Sequence, residues 1–191
     1  MKKVGILGFQ GAFLEHEQAV RRLGHEPLVV RYPGELEEID GLILPGGEST
    51  TMGKLLNRTG MMEPLREKIK TGMPVWGTCA GMILLAKELE NDPVVHLGVM
   101  DIAVRRNAYG SQIDSFSTRG VIPAISTKEL EMVFIRAPYI TKVGSEVEVL
   151  YELDGHVVAA REGNMLVTSF HPELTENTSC LEYFLTMFPE N

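Results

Sequence analysis

Met73-Pro74-Val75-Trp76-Gly77-Thr78-Cys79-Ala80-Gly81-Met82-Ile83-Leu84-Leu85 sets two apolar runs, Met73 to Trp76 and Met82 to Leu85, around a short turn with one cysteine at its apex. That order reads as strand, tight turn, helix. The Gly-x-Cys-x-Gly spacing copies a nucleophile elbow, in which small flanking residues permit a strained turn and lift a reactive side chain above the sheet. A sulfur there also faces the first free N–H groups and the positive end of the following helix, which favours thiolate over thiol. A cysteine in such a string is as readily a small buried core residue, so the reading depends on partners elsewhere.

A partner is found near the end of the chain. Met165 to Phe170 is a strand-like apolar run that delivers His171-Pro172-Glu173. Proline at 172 disfavours a helical His171, and an extended conformation would send residues 171 and 173 to the same side. An imidazole and a carboxylate so placed share a hydrogen bond. The acid then holds the ring tautomer while the other nitrogen faces the sulfur, as in Cys-His-acid variants of the hydrolytic triad. Alone, His-x-Glu at a strand end is usually a surface turn; joined to the elbow it completes the catalytic set Cys79, His171 and Glu173.

A third segment, Leu42-Ile43-Leu44-Pro45-Gly46-Gly47-Glu48-Ser49-Thr50, reads as a buried strand, a glycine turn and a helix start at Ser49 or Thr50. Paired glycines let backbone N–H groups approach a developing negative charge. The Gly46-Gly47 loop and the Ala80 N–H are thus candidate oxyanion donors. In isolation the same string is an ordinary strand-to-helix turn.

The remaining elements predict the architecture. Val4 to Leu7, Leu28 to Val30 and Leu42 to Leu44 read as strands, and Ala12, Val20 and Leu23 mark one face of an intervening helix. This alternation predicts an α/β fold: a largely parallel twisted sheet with helices on both faces. Val99 to Leu153 is more strand-like, which predicts a small antiparallel extension carrying Arg106 and Arg136. Asn91-Asp92-Pro93 reads as a loop between two halves of the sheet. Ligands of such sheets sit at the carboxyl ends of the strands, where Gln10, Gly47, Cys79 and His171 would gather.

Composition fits one compact domain spanning residues 1–191, with 44% hydrophobic and 23% charged residues. A formal net charge of -8 and the lack of a basic stripe argue against nucleic-acid binding. Lys2-Lys3 before Val4-Gly5-Ile6-Leu7 imitates a signal peptide, but Gln10 and Glu15-His16-Glu17 cut the run short, and no membrane-spanning run follows. Pairing the two cysteines would consume the nucleophile, so a reducing cytoplasm is the expected setting. Cys180, in Ser179 to Leu185, reads as part of a terminal core helix without chemistry.

Other candidate chemistry is weak. His16 shares the apolar face of the first helix and reads as a packing histidine, while His25, His96 and His156 lie in or near turns without an acid placed as Glu173 is. Metal-ligand spacings are lacking, so no metal is expected. Gly5 to Gly11 has neither Gly-x-Gly-x-x-Gly nor a Walker lysine, and no nucleotide cofactor is expected. Gln10 instead borders the sheet end where the nucleophile emerges.

With these segments in place the chain resembles the class I glutamine amidotransferases, and among them the glutaminase subunits of pyridoxal 5′-phosphate synthase. The resemblance runs the whole length. Its specific strings are Gly8-Phe9-Gln10-Gly11, Pro45 to Thr50, Gly77 to Met82, Arg105-Arg106-Asn107-Ala108-Tyr109-Gly110 and Phe134-Ile135-Arg136-Ala137-Pro138. One departure is Ile83, where many class I members carry glutamine four residues after the nucleophile.

The resemblance implies a flavodoxin-like fold and release of ammonia from L-glutamine. It implies glutamine held by Gly47, Glu48, Ser49, Arg106, Ile135 and Arg136, an arginine fork being suited to the α-carboxylate. It further implies a synthase subunit that takes up the ammonia, in a large ring assembly; Gln10, beside the mouth of the site, is the candidate for sensing that partner. Without the resemblance, Arg105 and Arg136 read equally well as surface salt-bridge partners. A cysteine peptidase on the same elbow and a redox-sensing thiol are the rival functions.

Overall fold

The computed structural model describes residues 1–90, 92–107 and 115–190. The last three residues of the Arg105 to Gly110 string, and Asn91, therefore lie outside the described residues.

The first half alternates strand and helix: β1 (Lys3–Leu7), α1 (Phe13–Arg22), β2 (Glu26–Val30), β3 (Gly41–Leu44), α2 (Ser49–Arg58), α3 (Met62–Lys70), β4 (Val75–Thr78) and α4 (Ala80–Leu85). β5 (Ala86–Leu89), β6 (Met100–Arg105), β7 (Ser115–Gly120), β8 (Leu130–Ile135), β9 (Tyr139–Val143), β10 (Glu148–Leu153), β11 (His156–Glu162) and β12 (Met165–Thr168) follow, closed by α5 (Ser179–Leu185).

Among the described residues the main sheet runs in the order β2-β1-β3-β4-β12-β11-β9-β6-β5, with β10 added on β11. From β2 to β12 every neighbour is parallel, and the antiparallel pairs cluster around β11 and β9. β7 and β8 form a separate antiparallel pair, the expected extension, with Arg136 directly after it; Arg106, expected on the same extension, instead follows β6 of the main sheet. The sheet itself is continuous. The loop after β5 does not divide it, because β5 pairs in parallel with β6 across that loop.

The two-residue period of the strands sorts the core. Val4, Ile6, Ile43, Trp76 and Leu166 face α1 and α5, while Leu42, Leu44, Val75 and Val167 face α2, α3 and α4. Trp76 meets Phe184 of α5 at 5.8 Å between ring centroids. Each such side chain, fully buried, contributes about 1.5–3 kcal/mol. Among the described residues no helix is long and apolar enough to cross a membrane.

The chain leaves β1 for β2 on one side and returns to β3 on the other, so the order reverses at β1. Loops after the carboxyl ends of β1 and β3 flank a crevice at such a reversal. Those loops carry Gln10 and Gly46-Gly47, and β4 and β12 open beside them.

Candidate active site

β4 ends at Thr78 and α4 begins at Ala80, leaving Cys79 alone to make the turn, with φ 50° and ψ -105°. A positive φ is strained for a residue with a side chain and persists only where the surroundings enforce it. The enforcement is visible. The Cys79 N–H donates to the Thr168 carbonyl at 2.8 Å, and parallel pairing sets Thr78 beside Thr168. A Cβ at Gly81 would come within 2.1 Å of the Leu44 carbonyl oxygen, so only glycine lets α4 seat this close to β3. The strand lies two residues later than the apolar run suggests, at Val75–Thr78, because pairing with β3 and β12 selects its register.

His171 and Glu173 meet, but not through an extended segment. Pro172–Leu174 forms a 3-10 turn, since the fixed φ of proline suits the first position of such a turn. His171 itself stays outside it, at φ -111° and ψ 83°, and its N–H donates to the Val133 carbonyl at 2.8 Å. The imidazole Nδ1 lies 2.6 Å from Glu173 Oε1. Both side chains are buried, Glu173 completely.

Electrostatics follow from that burial. Desolvation opposes an imidazolium at 171, but hydrogen bonds with Cys79 and Glu173, with their charges, outweigh it and lift its pKa to about 10. Desolvation likewise opposes the Glu173 carboxylate, yet the neighbouring His16 and the bond to His171 hold its pKa below the ordinary value. Cys180 differs: burial pushes its thiol up to about 12, helped by the charge of Glu173.

Above Cys79 opens a cleft of about 390 Å³ lined by Gly47, Glu48, Ser49, Cys79, Ala80, Ile83, Arg106, Asn107, Ile135, Arg136 and His171. All six residues expected to hold the substrate reach it. Gly46 stands behind the His171 ring, which a Cβ at 46 would approach to 2.3 Å. Cys79 Sγ lies 3.8 Å from the Ile135 carbonyl. Of the four described non-glycine residues with positive φ, Cys79, Asn107 and Arg136 line this cleft. Strain of that kind concentrates at functional sites.

The wall residues are individually anchored. Arg106 bonds to the Asp92 carboxylate and donates to Thr50 Oγ1 at 3.2 Å. Its neighbour Arg105 instead pairs with Glu90 at 2.7 Å on the surface. The Glu48 carboxylate caps α2, accepting from the N–H groups of Thr50 and Thr51, and the Thr51 bonds foremost draw its pKa down to about 2. Glu48 thus borders the cleft while its charge is spent on the helix. Its own N–H donates to Gln10 Oε1 at 2.7 Å, tying the first loop to the glycine loop.

Three residues gain a place that the sequence did not assign them. Ile83 lines the cleft with an apolar side chain, and Asn107 adopts a left-handed conformation that asparagine tolerates, a signal present in its residue type. The third is His16, whose Nε2 lies 3.6 Å from Glu173 Oε2. Its place on the apolar face of α1 reports burial but not what it is buried against.

Comparison with known proteins bears on the fold and the family. The chain is 55% identical over 185 residues to the pyridoxal 5′-phosphate synthase subunit PdxT of Clostridium acetobutylicum, covering 97% of this chain and 100% of that one. It is 58% identical over 184 residues to the PdxT of Clostridium kluyveri, covering 96% and 98%. A crystal structure of a glutamine amidotransferase superposes with a TM-score of 0.92 at 44% identity, covering 96% of this chain and 97% of that one. A more distant glutamine amidotransferase from Thermotoga maritima, 15% identical with a TM-score of 0.64 over 97% and 81% of the two chains, shares the fold. The model of the SNO glutamine amidotransferase family matches residues 6–190, so nearly every element that builds the cleft falls within the match, and the chain belongs to that family.

Proposed function

We propose that this chain is a glutaminase subunit that hydrolyses L-glutamine to L-glutamate and ammonia through Cys79, His171 and Glu173, and passes the ammonia to a pyridoxal 5′-phosphate synthase subunit. The observation that carries this is a cysteine at a strained elbow, on the floor of a cleft, beside a histidine bonded at 2.6 Å to a buried carboxylate.

The Cys79 thiolate attacks the side-chain amide carbon, and the oxyanion rests on backbone N–H groups of Ala80 and the Gly46-Gly47 loop. The His171 imidazolium gives its proton to the departing nitrogen as the C–N bond breaks, releasing ammonia and leaving a γ-glutamyl thioester. His171, now neutral, takes a proton from water; the hydroxide displaces the thiolate and frees glutamate. Glu173 keeps the ring oriented and its positive charge balanced. Arg106 and Arg136 are the candidates for the α-carboxylate, with Gly47, Glu48, Ser49 and Ile135 completing the substrate wall.

Ammonia loses its nucleophilicity on protonation, which favours direct delivery to a partner. The relatives named as synthase subunits support a synthase partner, and a large ring assembly in the cytoplasm with this chain as one domain is the setting proposed. The test is ammonia release from free glutamine, with and without the synthase subunit, against a peptide-cleavage control. Release abolished in Cys79→Ala supports the reading; cleavage of peptides without ammonia release assigns a cysteine peptidase instead.

A further inference from the structure

We propose that His16 is a positioning residue of the triad, holding the outer oxygen of Glu173 from the side opposite His171; this rests on the glutaminase reading above. Glu173 has two carboxylate oxygens and a fully buried side chain. Oε1 is bonded to His171, whereas Oε2 has no hydrogen-bond partner among the described residues. A buried carboxylate oxygen left unpaired is costly, and a carboxylate held at one oxygen is free to swing about its last torsion.

The group that faces Oε2 is His16 Nε2 at 3.6 Å, just beyond bonding distance. His16 is itself 1% exposed and lies edge-on to Trp76, at 5.6 Å between centroids and 80° between planes. The same Nε2 lies 3.5 Å from Thr78 Oγ1, one residue before the nucleophile. The imidazole is therefore wedged between the acid of the triad and the strand that delivers the cysteine.

The ring faces Glu173 in opposition to its own burial. Burial above all, together with the charge of His171, keeps His16 below the ordinary histidine pKa, against the pull of Glu173 and Glu15. Cys180 of α5 also lies within electrostatic reach of Glu173. With a proton on Nε2, His16 presents an N–H to Oε2, and a small closure of the 3.6 Å gap completes the bond. The proposed chain then runs Cys79, His171, Glu173, His16, with α1 as its support.

The test is a double-substitution cycle on the full chain with its synthase partner. His16→Leu should lower kcat about 10- to 100-fold with little change in KM, the range that outer partners of metal-bound imidazoles show. His16→Gln, whose amide nitrogen reaches the Nε2 position, should restore most of the loss. In a Glu173→Gln background, His16→Leu should cost nothing more, because residues acting through one group are not additive. Equal losses in both backgrounds, or no rescue by glutamine, would overturn the proposal.

If His16→Leu does not fold, His16→Asn, too short to reach Oε2, replaces it. A second measurement needs no turnover: the low-field proton resonance of His171 Nδ1–H should shift in His16→Leu or His16→Asn and return in His16→Gln. An unmoved resonance refutes positioning. A wild-type chain inactive on glutamine, with this resonance still dependent on His16, would instead count against the glutaminase reading alone.

Discussion

His171 Nδ1 lies 2.6 Å from Glu173 Oε1, and the two residues share one tight turn across Pro172. Base and acid therefore move as a unit. The nucleophile arrives separately, on β4, and is brought to them by strand pairing, with the Cys79 N–H bonded to the Thr168 carbonyl at 2.8 Å. The quality of the proposed triad thus depends on the β4–β12 register more than on any contact within the turn.

Cys79→Ala should abolish ammonia release, by at least ~10³-fold, while folding is retained, since one sulfur at a turn is removed. A glutamine-like electrophile should place one adduct on Cys79 and none on Cys180, whose thiol is buried and raised to about 12. Peptide mapping that finds the adduct on Cys180, or a folded variant with near wild-type turnover, would exclude the triad.

Glu173→Gln keeps the shape of the side chain but removes the charge that supports the imidazolium. Turnover should fall by about 10²- to 10⁴-fold with a smaller change in glutamine affinity. Steady-state kinetics separate the two. Intact kcat with a raised KM would make Glu173 a binding residue.

The same pair makes stability depend on pH. His171 has a raised pKa, so its contribution is complete below the unfolded value of about 6.5 and is lost as pH climbs through about 10. Glu173 has a lowered pKa, so its share is present above the unfolded value of about 4.3 and is lost as pH falls through the lower folded value. Thermal melts across pH should show Glu173→Gln destabilised most between those limits, with a flatter alkaline limb than wild type. Parallel curves for the two proteins would refute the linkage.

Gln10→Ala should depress partner-stimulated turnover more than glutamine binding. Gln10 Oε1 accepts from the Glu48 N–H at 2.7 Å, so a partner's contact at the first loop would reach the glycine loop that carries the proposed oxyanion donors. Ammonia release by wild type and variant, with and without the synthase subunit, measures this. Equal stimulation of both clears Gln10 of the role.

Gly81→Ala inverts the usual helix rule. Alanine in place of glycine within a helix is ordinarily favourable by up to about 1 kcal/mol. Here the added Cβ would sit 2.1 Å from the Leu44 carbonyl oxygen, and overpacking of about 1–3 kcal/mol should dominate. Urea unfolding gives the sign directly; a stabilised variant would mean that α4 can lift from β3 without cost.

Much of this was written locally in the chain. The elbow string and the Pro-Gly-Gly loop each state a backbone geometry through residue type. Apolar runs placed β1, β2 and β3 within a residue or two, and α5 falls on the Ser179 to Leu185 string. Where local preference was silent or divided, tertiary packing decided. The apolar run Met73 to Trp76 did not say where β4 would pair, and its hydrogen bonds to β3 and β12 moved it to Val75–Thr78. Pro172 permitted either an extended segment or a turn, and the 3-10 form brings Glu173 under His171.

Arg105 and Arg106 are equivalent as residue types, yet the end of β6 sends one to Glu90 at the surface and the other to Asp92 and the cleft. His16 is the clearest division between the two levels. Its helical spacing determined that it would be buried, because an apolar face must turn inward. That it would be buried against the second oxygen of Glu173, 157 positions away in sequence, depended on α1 packing beside the turn after β12, a contact no local pattern encodes.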